Sequence, residues 1–334
     1  MPDSDSKQKK NLEKDFGSAF GMEEESNIDL SNIIRKFKSL DYGYLIPLKK
    51  IFDAKLLRKK AIQWIMFFGL LPLIYAWIVD AYQLEFTEVV WMIEIYFCLF
   101  WALYFHSIIQ PAKKVWKQGI GYAIFTAAIG IPVLLSLQTL PVVSDLYRNL
   151  SSRNLFSQLT GFVFGVGILE ETCKALPLII FGLRKNTIKS VRDGVFLGFL
   201  SGLGFAASEG VTYTVRATAE AIYYGSATGQ VLTFLDRVMS GPLQHSAWAG
   251  VVGWFIGVAA QRKENRWQIV AVGIFFMAIL HGLYDTFSDG IIGIILAGTG
   301  FLIFMGYLIH GDNENPQRNI SESPAKIDDP KSIQ

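Results

Sequence analysis

The stretch GFVFGVGILEETCKALPLIIF, residues 161–181, decides how the rest of the chain is read. Its length and apolar flanks are those of a membrane-spanning helix, which needs about 20 residues to cross the hydrocarbon layer. Its centre nevertheless carries Glu170, Glu171 and Lys174. A charged side chain at mid-bilayer costs on the order of 3 kcal/mol even on lenient insertion scales. Three of them on adjacent turns need compensation from elsewhere in the fold.

Working outward, apolar stretches of similar length lie at 61–79, 89–109, 119–137, 158–182, 194–214, 236–260, 268–287 and 291–309. They predict an all-α protein, a polytopic membrane helix bundle of about eight transmembrane helices with disordered polar termini. Composition agrees: the 334 residues are 51% hydrophobic, ordinary for a membrane bundle and long for one soluble domain. The net charge of +2 is too small to argue for nucleic acid, and no basic, aromatic-interleaved patch suggests it. Cys98 and Cys173 both fall inside apolar spans and read as small buried hydrophobes.

Residues 1–28, rich in Ser, Lys, Glu and Asp, are expected to be a disordered cytoplasmic tail. Residues 29–60 form a basic amphipathic or juxtamembrane segment. Leu30, Ile33, Ile34, Phe37 and Leu40 share one helical face there, suited to the membrane interface or to docking on the chain's own cytosolic loops. Residues 61–309 are the transmembrane domain, with its core at 158–287, and 310–334 a second disordered cytoplasmic tail. Nearly sixty polar or mixed residues precede the first apolar run, which is not the pattern of a signal peptide.

Loop charges orient the bundle. Lys49, Lys50, Lys55, Arg58, Lys59 and Lys60 precede the first span. Lys113, Lys114 and Lys117 follow the second, Arg184, Lys185, Lys189 and Arg192 the fourth, and Arg262, Lys263 and Arg266 the sixth. The alternate loops are acidic or poor in Lys and Arg, as at Asp80, Glu85, Glu88 and Asp289. Basic loops stay in the cytoplasm, so both termini are expected there. Glycines four apart (Gly161 and Gly165; Gly194, Gly198 and Gly202; Gly253 and Gly257) predict close helix contacts among spans four to seven, with the first three spans peripheral.

The compensation for Glu170 comes from later spans. Span five carries Glu209, span six carries His245 just after Pro242, and span seven carries His281 and Asp285 on one face. At about 1.5 Å per residue from the cytoplasmic ends, Glu170 lies roughly 18 Å deep. Glu209 and His245 lie about 22 Å deep, His281 about 20 Å and Asp285 about 26 Å. In a core of ~30 Å this is one layer, from the midplane to its outer half. The layer holds Glu170, Glu171, Glu209 and Asp285 against a single Lys174, with His245 and His281. One ammonium cannot neutralise four carboxylates, so protons or a metal cation must join it. The groups suit general acid–base chemistry on water, a divalent metal site with an open position, or a proton relay for transport. Glu171, Glu209, His245 and His281 are the candidate metal ligands. The absence of a compact His-Glu-x-x-His motif favours a metal-free glutamate mechanism over zinc. Glu94, Asp236 and Arg237, near the outer ends of spans, are expected to be interfacial. Adjacent residues on a helix diverge by about 100°, so one of Glu170 and Glu171 should face Lys174 and the other water.

Glu170-Glu171-x-x-Lys174, Phe205-x-x-x-Glu209, His245 and His281-x-x-x-Asp285, in successive spans, resemble the PrsW family of intramembrane proteases over about residues 160–290. The pattern is also distantly similar to the CAAX prenyl proteases and the bacterial Abi-type membrane proteases. It departs from them at Lys174, Glu209 and Asp285, which argues against a prenylated substrate. The resemblance implies an intramembrane endopeptidase of a bacterial inner membrane. Its substrate would be a single-span membrane protein, such as an anti-sigma factor, cut on the extracytoplasmic side. It also implies roles. Glu170 or Glu171, helped by a histidine, activates water. Lys174 holds the second carboxylate, and His281 with Asp285, or His245, stabilises the oxyanion or completes a metal site. Two other readings remain open at this point: a proton-coupled transporter using the same carboxyls, and an inactive scaffold for membrane partners.

Overall fold

The computed structural model describes residues 60–313, except 263 and 289, together with Lys55 and Arg58. The tail at 1–28, the amphipathic segment at 29–41 and residues 314–334 lie outside the described residues. Among the described residues there are nine helices and no strand. They are α1 (Lys60–Tyr82), α2 (Phe86–Ile109), α3 (Val115–Gln138), α4 (Pro141–Arg148), α5 (155–183), α6 (Val191–Tyr223), α7 (227–260), α8 (Arg266–Phe287) and α9 (Ile291–Asn313). The described residues up to Pro72 and those from Leu73 onward belong to separate units, and α1 crosses from one to the other. The packing and the site below concern the second.

The eight expected spans are all helical. Six of the helices, α1, α2, α3, α6, α8 and α9, are long and apolar enough to cross a membrane. The two outside that set, α5 and α7, are those that carry Glu170, Glu171 and Lys174, and His245. Exposed large apolar side chains such as Ile95, Ile124, Phe275, Ile294 and Leu302 mark the lipid-facing surface of a multi-pass membrane protein. Helix α9 runs to Asn313, so the polar tail begins later than residue 310.

Helices α3, α5 and α7 are not uniform. Wider π-helical turns occupy Thr126–Gly130, Gly161–Gly167, Leu178–Leu183 and Phe234–Ser240. Three of them adjoin a proline. Pro132 and Pro242 follow such a turn, and Pro177 precedes one. A proline lacks the N–H of the i→i−4 ladder and crowds the carbonyl four residues back, and a locally wider turn relieves both. The kink expected at Pro242 therefore takes the form of a π-helical turn just before His245. Around Pro177 the ladder also loosens: the Leu178 N–H donates to the Ala175 carbonyl, and the Lys174 carbonyl accepts from the Ser201 hydroxyl at 2.6 Å. Ser201 in turn meets Thr126 at 2.7 Å, so α3, α5 and α6 are tied together behind the Glu-Glu-x-x-Lys turn.

The core is α6, most of it buried. Glycine contacts give its neighbours' directions. A Cβ on Gly194 would stand 2.5 Å from the Gly253 carbonyl oxygen, and on Gly198 2.2 Å from that of Ala249, so α6 and α7 run antiparallel at backbone contact. Gly119 meets Leu200 and Gly204 meets Ala123, so α3 runs parallel to α6. Gly167 meets Ala278 and Gly282 meets Val163, seating α5 antiparallel on α8. The Gly161–Gly165 pair serves a different partner from the one expected. It receives Leu146 of α4, a short helix at 141–148 that was not foreseen because it is too short to span.

Glu94 also departs from expectation. It is fully buried rather than interfacial, its carboxyl lies against Gly210 of α6, and neither oxygen has a hydrogen-bond partner among the described residues.

Candidate active site

All seven expected site residues converge. Lys174 is the hub. Its Nζ donates to Glu171 Oε1 at 2.8 Å, stands 3.5 Å from Glu170 Oε2 and meets His245 Nδ1 at 2.9 Å. The Phe205 ring lies beneath it, 4.4 Å from ammonium to centroid. An ammonium only donates, so His245 Nδ1 accepts and its Nε2 carries the hydrogen that meets Glu209 Oε2 at 2.9 Å. His281 Nδ1 lies 3.0 Å from Glu171 Oε1. Its Nε2 faces Glu170 Oε2 at 3.6 Å and Asp285 Oδ2 at 3.5 Å. Each motif thus has a contact that explains its spacing: Lys174 one turn below the glutamates, Phe205 one turn before Glu209, and Asp285 one turn after His281.

The two glutamates differ as expected. Glu171 is 0% exposed, and its Oε1 is held by Lys174 and His281. Glu170 lines a cavity of about 570 Å³, and its Oε2 makes no hydrogen bond among the described residues.

The cavity is walled by the C-terminal parts of α3, α6 and α8 and by the N-terminal and middle parts of α5 and α7, including Leu134, Glu209, His245, Trp248 and Asp285. Given the helix directions, it lies at the end of the bundle away from the basic loops. Tyr147 of α4, outside the spans, closes one side. Burial pushes its phenol pKa up, and its hydroxyl accepts from Gln138 Nε2 at 2.7 Å. Gln138, Tyr147, Tyr213, Gln244, Trp248 and Tyr284 line the cavity and were missed in the sequence, where charge singled residues out and uncharged polar or aromatic ones carried no signal. Asp236 and Arg237, read as interfacial, pair at 3.2 Å and also line it.

The donor set fits a divalent metal if His245 gives up its contact with Lys174 or with Glu209, and it differs from the sequence reading. Glu170, His245 and His281 bring one ligand atom each within 4.8 Å of one another, and Glu171 and Glu209 are outside that group. Two imidazoles and a carboxylate are a familiar hydrolytic zinc set, and the buried Glu170 Oε2, without a hydrogen bond among the described residues, can still accept one. Ligands about 2.0 Å from a tetrahedral ion stand ~3.3 Å apart. The His281–Glu170 pair, at 3.6 Å, is close to that spacing. Glu171 on His281 Nδ1 supplies the carboxylate–histidine support typical of such ligands.

Comparison with known proteins gives the family. Residues 114–310 match the family model described as PrsW family intramembrane metalloprotease. The chain belongs to the PrsW family. Protease PrsW of Shouchella clausii is 27% identical over 119 residues, 36% of this chain and 50% of the relative. Protease PrsW of Halalkalibacterium halodurans is 24% identical over 169 residues, 51% of this chain and 71% of the relative. For that of Oceanobacillus iheyensis the figures are 23% over 188 residues, 55% and 81%. The match thus spans half the length of the first of these relatives. No solved structure matches the chain significantly. The PrsW match covers every residue of the polar layer and leaves α1 and α2 outside.

Proposed function

We propose that this PrsW-family protein is an intramembrane endopeptidase that cuts a single-span membrane protein between the bilayer midplane and its extracytoplasmic side. Both termini would lie in the cytoplasm of a bacterial inner membrane, as the basic loops suggest. The observation that carries the reading is Glu170: a carboxylate on the cavity wall whose Oε2 stands 3.5 Å from Lys174 and 3.6 Å from His281 and makes no hydrogen bond among the described residues. It is placed to take the proton of an attacking water and to return it to the departing amine. Glu171 and Asp285 orient His281, and Glu209 orients His245. Lys174 holds Glu171 ionised and stands between both halves of the layer.

A divalent ion such as zinc, held by Glu170, His245 and His281, would polarise the substrate carbonyl and activate water. Glu209, which also lines the cavity, is then the carboxylate left to take the proton. On either route Glu170 is indispensable. Coexpression of wild type, Glu170→Gln or His281→Ala with a tagged single-span substrate tests the reading. Full-length substrate is expected to accumulate only with the variants. Intact substrate in every strain, with proton-dependent solute uptake by liposomes holding the wild type, would establish transport instead. Chelation of the purified enzyme is expected to abolish cleavage and zinc to restore it. Full activity in chelator would return the site to the glutamate mechanism.

A further inference from the structure

Hydrolysis of a peptide bond needs a donor for the oxygen that becomes negative, as well as a base for the water. The donors around the cavity are mostly engaged. Lys174 is shared among Glu171, Glu170 and His245. Gln138 Nε2 donates to Tyr147, and Arg237 and Arg216 give Nε to Asp236 and Glu220 from exposed side chains that water already solvates. Trp248 Nε1 is turned to α9, where a Cβ on Gly300 would stand 2.4 Å from it.

Gln244 is different. It precedes His245, follows the π-helical turn at Phe234–Ser240, lines the cavity, and is only 8% exposed. The Tyr284 phenol reaches its side chain and can take one amide hydrogen, but Nε2 makes no bond within ordinary hydrogen-bond geometry, and its second N–H has no acceptor among the described residues. A buried amide N–H without a partner costs free energy comparable to a lost hydrogen bond. The cost is recovered only when an acceptor enters the cavity. Being neutral, it adds no charge to a layer already built on four carboxyls and one ammonium.

We infer that Gln244 is a further catalytic residue, its Nε2 donating to the carbonyl oxygen of the bond being cut; this rests on the peptidase reading above. Water oxygen bonds to the carbonyl carbon, and its proton passes to the general-base carboxylate. The C=O π pair moves onto the oxygen, where Gln244 holds it. That pair then re-forms the double bond, the C–N bond breaks, and the carboxyl proton goes to the amine nitrogen. Gln244 emerges unchanged.

The test uses full-length enzyme in liposomes and a fluorogenic peptide carrying the cleaved span of the protein that accumulates with Glu170→Gln. Gln244→Met keeps the length and loses the donors; Gln244→Glu keeps the shape. Loss of this donor is expected to lower kcat about 10²-fold and leave KM within about threefold. A phosphinate analogue of the tetrahedral state should bind more weakly by the same factor. A kcat within about threefold of wild type, or a raised KM at unchanged kcat, would overturn the inference. So would failure of both variants to fold, which would make Gln244 a structural residue. A wild type that cleaves nothing overturns the peptidase reading and this inference with it. Cleavage by wild type with unaltered variants overturns this inference alone.

Discussion

At the scale of single residues, the adjacent glutamates make the sharpest contrast. Glu171→Ala removes the acceptor shared by Lys174 and His281 and leaves a buried ammonium short of its closest counter-charge. A loss on the order of 3 kcal/mol is expected, read as a lower melting temperature in detergent. Glu170→Gln should stay within about 1 kcal/mol of wild type, because its Oε2 makes no hydrogen bond and stands 3.5 Å from Lys174 where Glu171 stands at 2.8 Å, while activity disappears. Equal stability losses would contradict the division of labour. The non-equivalence of the pair was legible in the sequence from the 100° between neighbours. Which glutamate faces Lys174 was not, because both stand within salt-bridging reach of a lysine three or four residues on. Glu94 was misread for a related reason: depth along one helix says nothing about which face meets Gly210. A Cβ on Gly210 would press on the Glu94 carboxyl, so Gly210→Ala would require that side-chain end to shift.

At the scale of helices, small-residue spacing told where backbones touch. The close contacts it foresaw among spans four to seven are made by Gly194, Gly198 and Gly202 against α7, while Gly161 and Gly165 meet Leu146 of α4, for which it named no partner. Spacing reports that a notch exists and not what fills it. Gly198→Ala, with a Cβ 2.2 Å from the Ala249 carbonyl, is expected to cost about 2 kcal/mol or more. Gly306→Ala on α9, with nothing within 4 Å, should be neutral or gain about 0.5 kcal/mol from helix propensity. Thermal melts of the two variants side by side check this. The π-helical turns were not legible beyond Pro242, because apolar periodicity does not register one extra residue in a turn. They matter here, since the turn at Phe234–Ser240 sets the entry of Gln244 and His245 into the cavity.

At the scale of the whole molecule, the single polar layer was legible because alternating helix directions and loop charges are global quantities. Residues from α5, α6, α7 and α8, distant in sequence, meet at one depth. The contacts among them, such as His245 Nδ1 on Lys174, depend on rotamers that no spacing rule supplies. Outward-reporting fusions after residues 85, 145 and 225 should be active and those after 115 and 187 silent. The reverse pattern would move the cavity to the cytoplasmic side. The claim on which all of this turns is that the layer cuts membrane proteins at Glu170. Quantitative proteomics of membranes from cells making wild type or Glu170→Gln measures that directly. At least one single-span protein should accumulate at full length with Glu170→Gln, its truncated form appearing only with wild type. Indistinguishable membrane proteomes would contradict the claim.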